Sequence, residues 1–322
     1  MAKKSSPFSI FFYGVVLFFF QLTRLLPLSL SRKFGIFLGD LAFFIIPRLK
    51  KIGMANLAIA YGDEMPLKEK KRILRGAARN LGIIAAEFSR IPSIAKGGLK
   101  NMISVEGIEE ALSHKPAVLL AAHHSNWEWM LPVAYDLGLR TAVIVNPFRN
   151  AFLDHFVNQY RLSGGTITVR KQGAVQEMEN LFKNGVSPSM LGDQSPRNGG
   201  VPIKFFGSPA WASIGPAMIA MKTDSPVIPA SMARDNKGHY TLKFFPAIHM
   251  RNSGQYLEDL VFNTQRCQDA LETIIRAHPE QWLWFHQRWR KRERLEKEWA
   301  FRLEKPSQDS DTVQSLKDQE SA

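Results

Sequence analysis

One cysteine, Cys267, is all the chain of 322 residues contains. That excludes an internal disulfide framework and any site built from several thiolates, and it suits a reducing compartment. Acidic residues are also scarce relative to basic ones. With 29 Asp and Glu against 42 Lys and Arg, the formal charge is +13. A positive field of that size admits three partners: nucleic acid, anionic lipid headgroups or an acidic carrier protein. No RNA- or DNA-binding module is recognisable, and the basic residues are spread along the chain rather than gathered in one arm, which disfavours nucleic acid. No internal repeat is visible. The length suffices for one large or two modest domains with a full core.

Among what is present, the N-terminus favours lipid. Lys3 and Lys4 precede an uncharged, phenylalanine-rich run that ends at Arg24. As a helix, Phe8 to Thr23 would extend about 24 Å, short of the roughly 30 Å of a bilayer's hydrocarbon. No small-x-small cleavage site follows, so a cleaved signal peptide is disfavoured. A second apolar segment, 34–47, contains Asp40, and basic residues flank both segments. The charge distribution is compatible with two half-inserted helices, or with one short span and the bulk of the chain on the cytoplasmic side. For the second segment, a buried soluble helical pair is the competing expectation.

From 53 to 90 the apolar residues recur at helical spacing. Beyond Pro92 the pattern changes to short apolar runs at 117–122, 141–145, 166–169, 187–191, 226–231 and 240–246. Amphipathic segments near 126–137, 149–162, 172–184, 214–223 and 256–277 alternate with them. This predicts an α/β fold with a central, mostly parallel sheet flanked by helices. The expected organisation is an N-terminal hydrophobic membrane anchor over 1–52, a catalytic domain over 53–305 and a disordered polar tail over 306–322.

The most informative stretch is His123-His124-Ser125-Asn126-Trp127-Glu128, where an apolar run gives way to a helix-like segment. On one continuous helix the imidazole of His123 and the carboxylate of Glu128 would diverge. A turn at His124-Ser125 would let them meet as a base and its orienting acid, the pair needed to take a proton from a hydroxyl. A capped helix start with Ser125 or Asn126 as N-cap is the plainer alternative. A two-histidine metal site is disfavoured, since the spacing does not put both imidazoles on one helical face.

This motif resembles the His-x-x-x-x-Asp/Glu signature of the glycerolipid-type acyltransferases, and its wording is close to that of the lipid A late acyltransferases. Further blocks follow in the order of that family. They are Arg170 in TVRKQG, the stretch 191–217 beginning LGDQSPRNGG, SPVIPA at 225–230 and HPEQWLWFHQRWRKR at 278–292. The resemblance implies His123 as general base and Glu128 as its carboxylate. Asn126, Arg170, Asp193 and Gln194 are implied as substrate contacts, and Arg197 as a further phosphate contact. It implies transfer of a fatty acyl chain from acyl carrier protein to a hydroxyl of a phosphorylated glycolipid, a lipid A precursor. The location implied is the cytoplasmic face of the inner membrane, with neither metal nor organic cofactor. The wider family commonly has an aromatic residue and glycine where this chain has His124 and Ser125. The tryptophans at 282, 284 and 289 are expected to be partly core, with Arg288 to Arg292 on the surface facing headgroups or carrier protein. Another glycolipid or glycerolipid acceptor, or a non-catalytic lipid-binding relative, remain as alternatives.

Overall fold

The computed structural model describes residues 7–148, 150–170 and 173–304. The expected disordered tail lies outside these residues.

Four helices lead the chain: α1 (Pro7–Leu25), α2 (Leu28–Ile45), α3 (Pro47–Tyr61) and α4 (Leu67–Phe88). Pro27, Pro47 and Pro66 punctuate them, each at a helix start where a missing N–H costs nothing. Three segments lead into the α/β region: α5 (Ile91–Ile94), then β1 (Ile103–Glu106) and α6 (Ile108–Ser113). The alternating part follows as β2 (Val118–Ala121), α7 (Trp127–Asp136), β3 (Thr141–Val145), α8 (Ala151–Ser163), β4 (Ile167–Arg170), α9 (Ala174–Lys183) and β5 (Ser187–Leu191). A hairpin, β6 (Gly200–Phe205) and β7 (Ser208–Ser213), precedes α10 (Gly215–Thr223), β8 (Val227–Arg234), β9 (Tyr240–Phe244), α11 (Tyr256–Ala277) and α12 (Glu293–Glu304).

Seven strands form the central sheet in the order β1-β9-β8-β2-β5-β3-β4. Every pairing is parallel except β8 with β9. The six apolar runs read from the sequence thus become β2, β3, β4, β5, β8 and β9. β2 lies at the centre and is buried on both faces. Val118 and Leu120 pack into one core layer, and Leu119 and Ala121 into the other. That explains why β2 reads as a continuous apolar run rather than an alternation.

The segment expected as a membrane anchor lies, in its described part, against the rest of the domain. Gly35 and Gly39 on α2 meet Ala78 and Gly82 on α4 so closely that a Cβ at either glycine would collide with backbone. Asp40 accepts bidentate bonds from Arg75 and Arg79, and these guanidinium groups hold its carboxyl well below the usual carboxylate range. Arg32 donates to Glu87. Among the described residues no helix is long and apolar enough to cross a membrane. The outer faces of α1 and α2 are nonetheless apolar and exposed, with Phe11, Phe18, Leu25 and Phe44 each at least 60% exposed.

The β6–β7 hairpin was not expected, because the Pro- and Gly-rich stretch 195–202, which runs into β6, reads as a loop. Its turn places Phe206 and Gly207 both at positive φ, the geometry that matches strand twist in a two-residue hairpin.

Candidate active site

The site forms at the carboxyl ends of two neighbouring strands, where parallel sheets commonly place reactive groups. β2 and β5 pair with Ala121 opposite Leu191. His123 and Asp193 therefore stand at matching positions, each two residues past its strand. Asp193 grips the histidine twice: Oδ2 accepts the His123 backbone N–H at 3.0 Å, and Oδ1 lies 2.8 Å from Nδ1. Oδ2 also accepts the Trp282 indole N–H at 2.7 Å.

This corrects the expected pairing. Glu128 does not hold the imidazole, and Asp193, expected as a substrate contact, does. The turn predicted at His124-Ser125 is present, but α7 starts at Trp127 and directs Glu128 elsewhere. Its carboxylate takes a bidentate pair from Arg161, at 2.6 and 3.0 Å, and a bond from the Trp127 indole at 3.2 Å. Arg161 sits in the last turn of α8. The sequence gives it no distinguishing signal, since a cation there also complements the helix dipole.

Electrostatics follow from the pairing. Burial alone would lower the proton affinity of His123, but the charge and hydrogen bond of Asp193 outweigh it, and the imidazole is raised above its ordinary range. Burial likewise pushes Asp193 upward, and His123 overrides that, holding the carboxyl at about 2. Asp193 is thus a carboxylate at neutral pH. With Nδ1–H donated to it, Nε2 is left as the acceptor facing the cavity. Gln194 Nε2 lies 3.4 Å from that atom. His124 is no second base: it is buried, its Nε2 bonds the carbonyl of His278 at 3.0 Å, and desolvation pushes it down to about 4.

The block around 278–284 secures this loop from behind. Ser125 N–H donates to the Gln281 carbonyl and Leu283 N–H to the His123 carbonyl. Trp282 and Trp284 are buried, as expected for core tryptophans. Arg288, expected on the surface, is 1% exposed and donates to the Trp211 carbonyl and to Gln268. Gln268 in turn holds the carbonyl of Gly192, next to Asp193.

Asn126 is also corrected. It is fully buried, its Oδ1 caps α7 at Trp129 N–H, and its Nδ2 donates to Glu87. No group of it is left for substrate. Arg170 ends the edge strand β4, separated from β2 by β3 and β5, so roughly 14 Å of sheet lies between them at about 4.8 Å per strand. It is exposed and borders a second groove with Asp154, His155 and Thr168, which shares Val145 with the cavity that His123 lines.

His123, Glu128, Arg161 and Gln194 line one cavity of about 890 Å³. The rest of its wall is largely apolar, including Met130, Leu131, Val143, Met190 and Met218. The volume lies in the range of small-ligand sites. A histidine whose Nε2 faces the cavity with only the long Gln194 contact, a buried carboxylate behind it and a greasy cavity in front can deprotonate a hydroxyl on a lipid-like molecule.

Comparison with known proteins finds distant relatives and one family. The chain is 23% identical over 217 residues to a phosphatidylinositol mannoside acyltransferase of Mycobacterium tuberculosis strain H37Rv, covering 63% of this chain and 66% of the relative. It is 23% identical over 180 residues to the same-named protein of strain CDC 1551, covering 54% of each. The chain thus spans between half and just under two thirds of these curated relatives. A solved structure, the 1-acyl-sn-glycerophosphate acyltransferase PlsC of Thermotoga maritima, aligns with a TM-score of 0.35 at 17% identity, covering 76% of this chain and 96% of that one. Residues 1–291 match the model of the bacterial lipid A biosynthesis acyltransferases, and the chain belongs to that family.

Proposed function

We propose that this protein transfers a fatty acyl group from an acyl carrier protein thioester to a hydroxyl of a lipid A precursor. The observation that carries the reading is the His123–Asp193 pair, at 2.8 Å, opening on a largely apolar cavity. Nε2 of His123 takes the hydroxyl proton as the oxygen attacks the thioester carbonyl. The tetrahedral intermediate collapses, the carbon–sulfur bond breaks and the same proton passes to the leaving thiolate. Asp193 fixes the tautomer and stabilises the imidazolium while it lasts. Arg161, held in place by Glu128, offers its remaining guanidinium N–H groups as hydrogen-bond donors to the developing oxyanion. No covalent enzyme intermediate is required.

The location proposed is the cytoplasmic face of the inner membrane. The exposed apolar faces of α1 and α2 and the net charge of +13 support contact with an anionic lipid surface. An acidic carrier protein suits the same field.

The test uses membranes carrying wild-type or His123→Ala protein, acyl carrier protein charged with labelled laurate, and a tetra-acylated disaccharide as acceptor. Loss of the general base lowers the rate by about two to four orders of magnitude. Unchanged transfer by His123→Ala would remove the mechanism. The names of the mycobacterial relatives favour a second reading, a phosphorylated mannolipid as acceptor. Label entering that lipid and not the disaccharide would select it.

A further inference from the structure

The last helix, α12, lies beyond the residues matched by the family, yet it completes the cavity wall. It is firmly docked: Leu295 is fully buried, Trp299 packs on the core, and Glu298 accepts the Gly199 N–H at 3.1 Å. This places Arg302 against the cavity beside Asn198, Gly199, Tyr256 and Leu260, with only 7% of its surface exposed.

Arg302 is a charge without a described counterpart. Among the described residues it makes no hydrogen bond or ion pair. Glu298, one turn earlier, is already engaged by Arg294 and Gly199. The other charged residues on the cavity wall are His123, Glu128 and Arg161, and the last two neutralise each other. The Arg302 guanidinium nitrogens are not among the buried atoms that lack a partner, so the charge stands open to the cavity, and this part of the wall is complementary to a negatively charged group. Arg197, Arg290 and Arg292 form a basic group outside the residues that line the cavity. Arg292 bonds Ser195 beside the 197–199 loop and is held below its ordinary range by burial and by its two arginine neighbours.

We propose that Arg302 is the receptor for a phosphate group of the substrate, binding two of its oxygens through the planar guanidinium fork. The inference rests on reading this cavity as the acyl-transfer site. The phosphate belongs either to the glycolipid acceptor or to the phosphopantetheine arm of the donor.

The full-length protein is titrated calorimetrically with octyl phosphate and with neutral octyl glucoside. Arg302→Gln weakens octyl phosphate about tenfold or more, the value of one charge-assisted contact, and leaves octyl glucoside unchanged. Arg302→Lys falls between, keeping the charge and losing the fork. Equal octyl phosphate affinity in wild type and Arg302→Gln overturns the proposal, as does an equal loss for both ligands. Steady-state kinetics then assign the source. A raised KM for the acceptor at constant kcat identifies the acceptor's phosphate, a raised KM for the carrier thioester the donor's, and a change in neither overturns the role. If the wild-type protein transfers no acyl group, the proposed function fails, while the titration still decides Arg302.

Discussion

Asp193 reaches His123 because β5 returns to the place beside β2, in a register that sets Leu191 opposite Ala121. The two residues are 70 positions apart in sequence, yet two adjacent strand ends place them in contact. The carboxylate is buried and accepts three bonds, two from His123 and one from Trp282.

Replacing that carboxylate separates its role from packing. We expect Asp193→Asn to lower kcat/KM by about two to four orders of magnitude. The pH profile should move as well. His123 works as a base only when neutral, so activity falls as pH descends through its raised proton affinity. Without the Asp193 charge, burial dominates and lowers that affinity, moving the acid limb to lower pH. An acid limb that stays in place in Asp193→Asn would show that Asp193 does not set the histidine's protonation.

Glu128 should behave differently. It bonds Arg161 rather than His123 and acts on the imidazole only through its charge, more weakly than Asp193 does, so Glu128→Gln should reduce activity while moving the acid limb much less than Asp193→Asn. Glu128→Gln and Arg161→Gln remove the same partly buried contact. Their combined effect should fall short of the sum, with a coupling of about 1–3 kcal/mol in a double-mutant cycle on kcat/KM. If Glu128→Gln moves the acid limb as Asp193→Asn does, Glu128 is the histidine's partner after all.

The six strands read after Pro92 were legible as short apolar runs and the helices between them by their amphipathic period, and α11 matches 256–277 at both ends. Strand order was not legible. The motif places a carboxylate near His123 in sequence, whereas contact depends on β5 inserting between β2 and β3, which no local pattern encodes. Asn126 was readable as a cap, and its burial against Glu87 is a tertiary fact. β1 escaped because four alternating residues, Ile103 to Glu106, carry too little apolar signal. Arg161 and Arg302 are arginines on amphipathic helices. In sequence nothing distinguishes them from solvated charges; only the fold turns them to the cavity.

Ser125 stands where relatives of this motif commonly have glycine, and its backbone takes φ of 51°. A left-handed conformation costs a non-glycine residue about 1–2 kcal/mol, and the buried Ser125 hydroxyl also has no partner among the described residues. Glycine removes both penalties and adds roughly 0.5–1 kcal/mol of unfolded-state entropy. Ser125→Gly should therefore stabilise the protein by about 1 kcal/mol in denaturant melts, with activity retained. Destabilisation by that substitution would mean the serine side chain supports the turn.

Glu87 ties the N-terminal helices to the active-site loop. It is fully buried and accepts from Arg32 on α2, Asn126 at the start of α7 and the Tyr240 hydroxyl on β9. Removing its charge leaves Arg32 uncompensated and an amide donor facing two donors. Breaking a buried pair in this way costs about 3–5 kcal/mol, so Glu87→Gln should lower the melting midpoint strongly. Because α7 begins at Asn126, loss of this contact also loosens the turn that presents His123, and residual activity should fall at temperatures well below the melting midpoint. A variant that melts as wild type does would show that Glu87 is not the link between the helical layer and the catalytic loop.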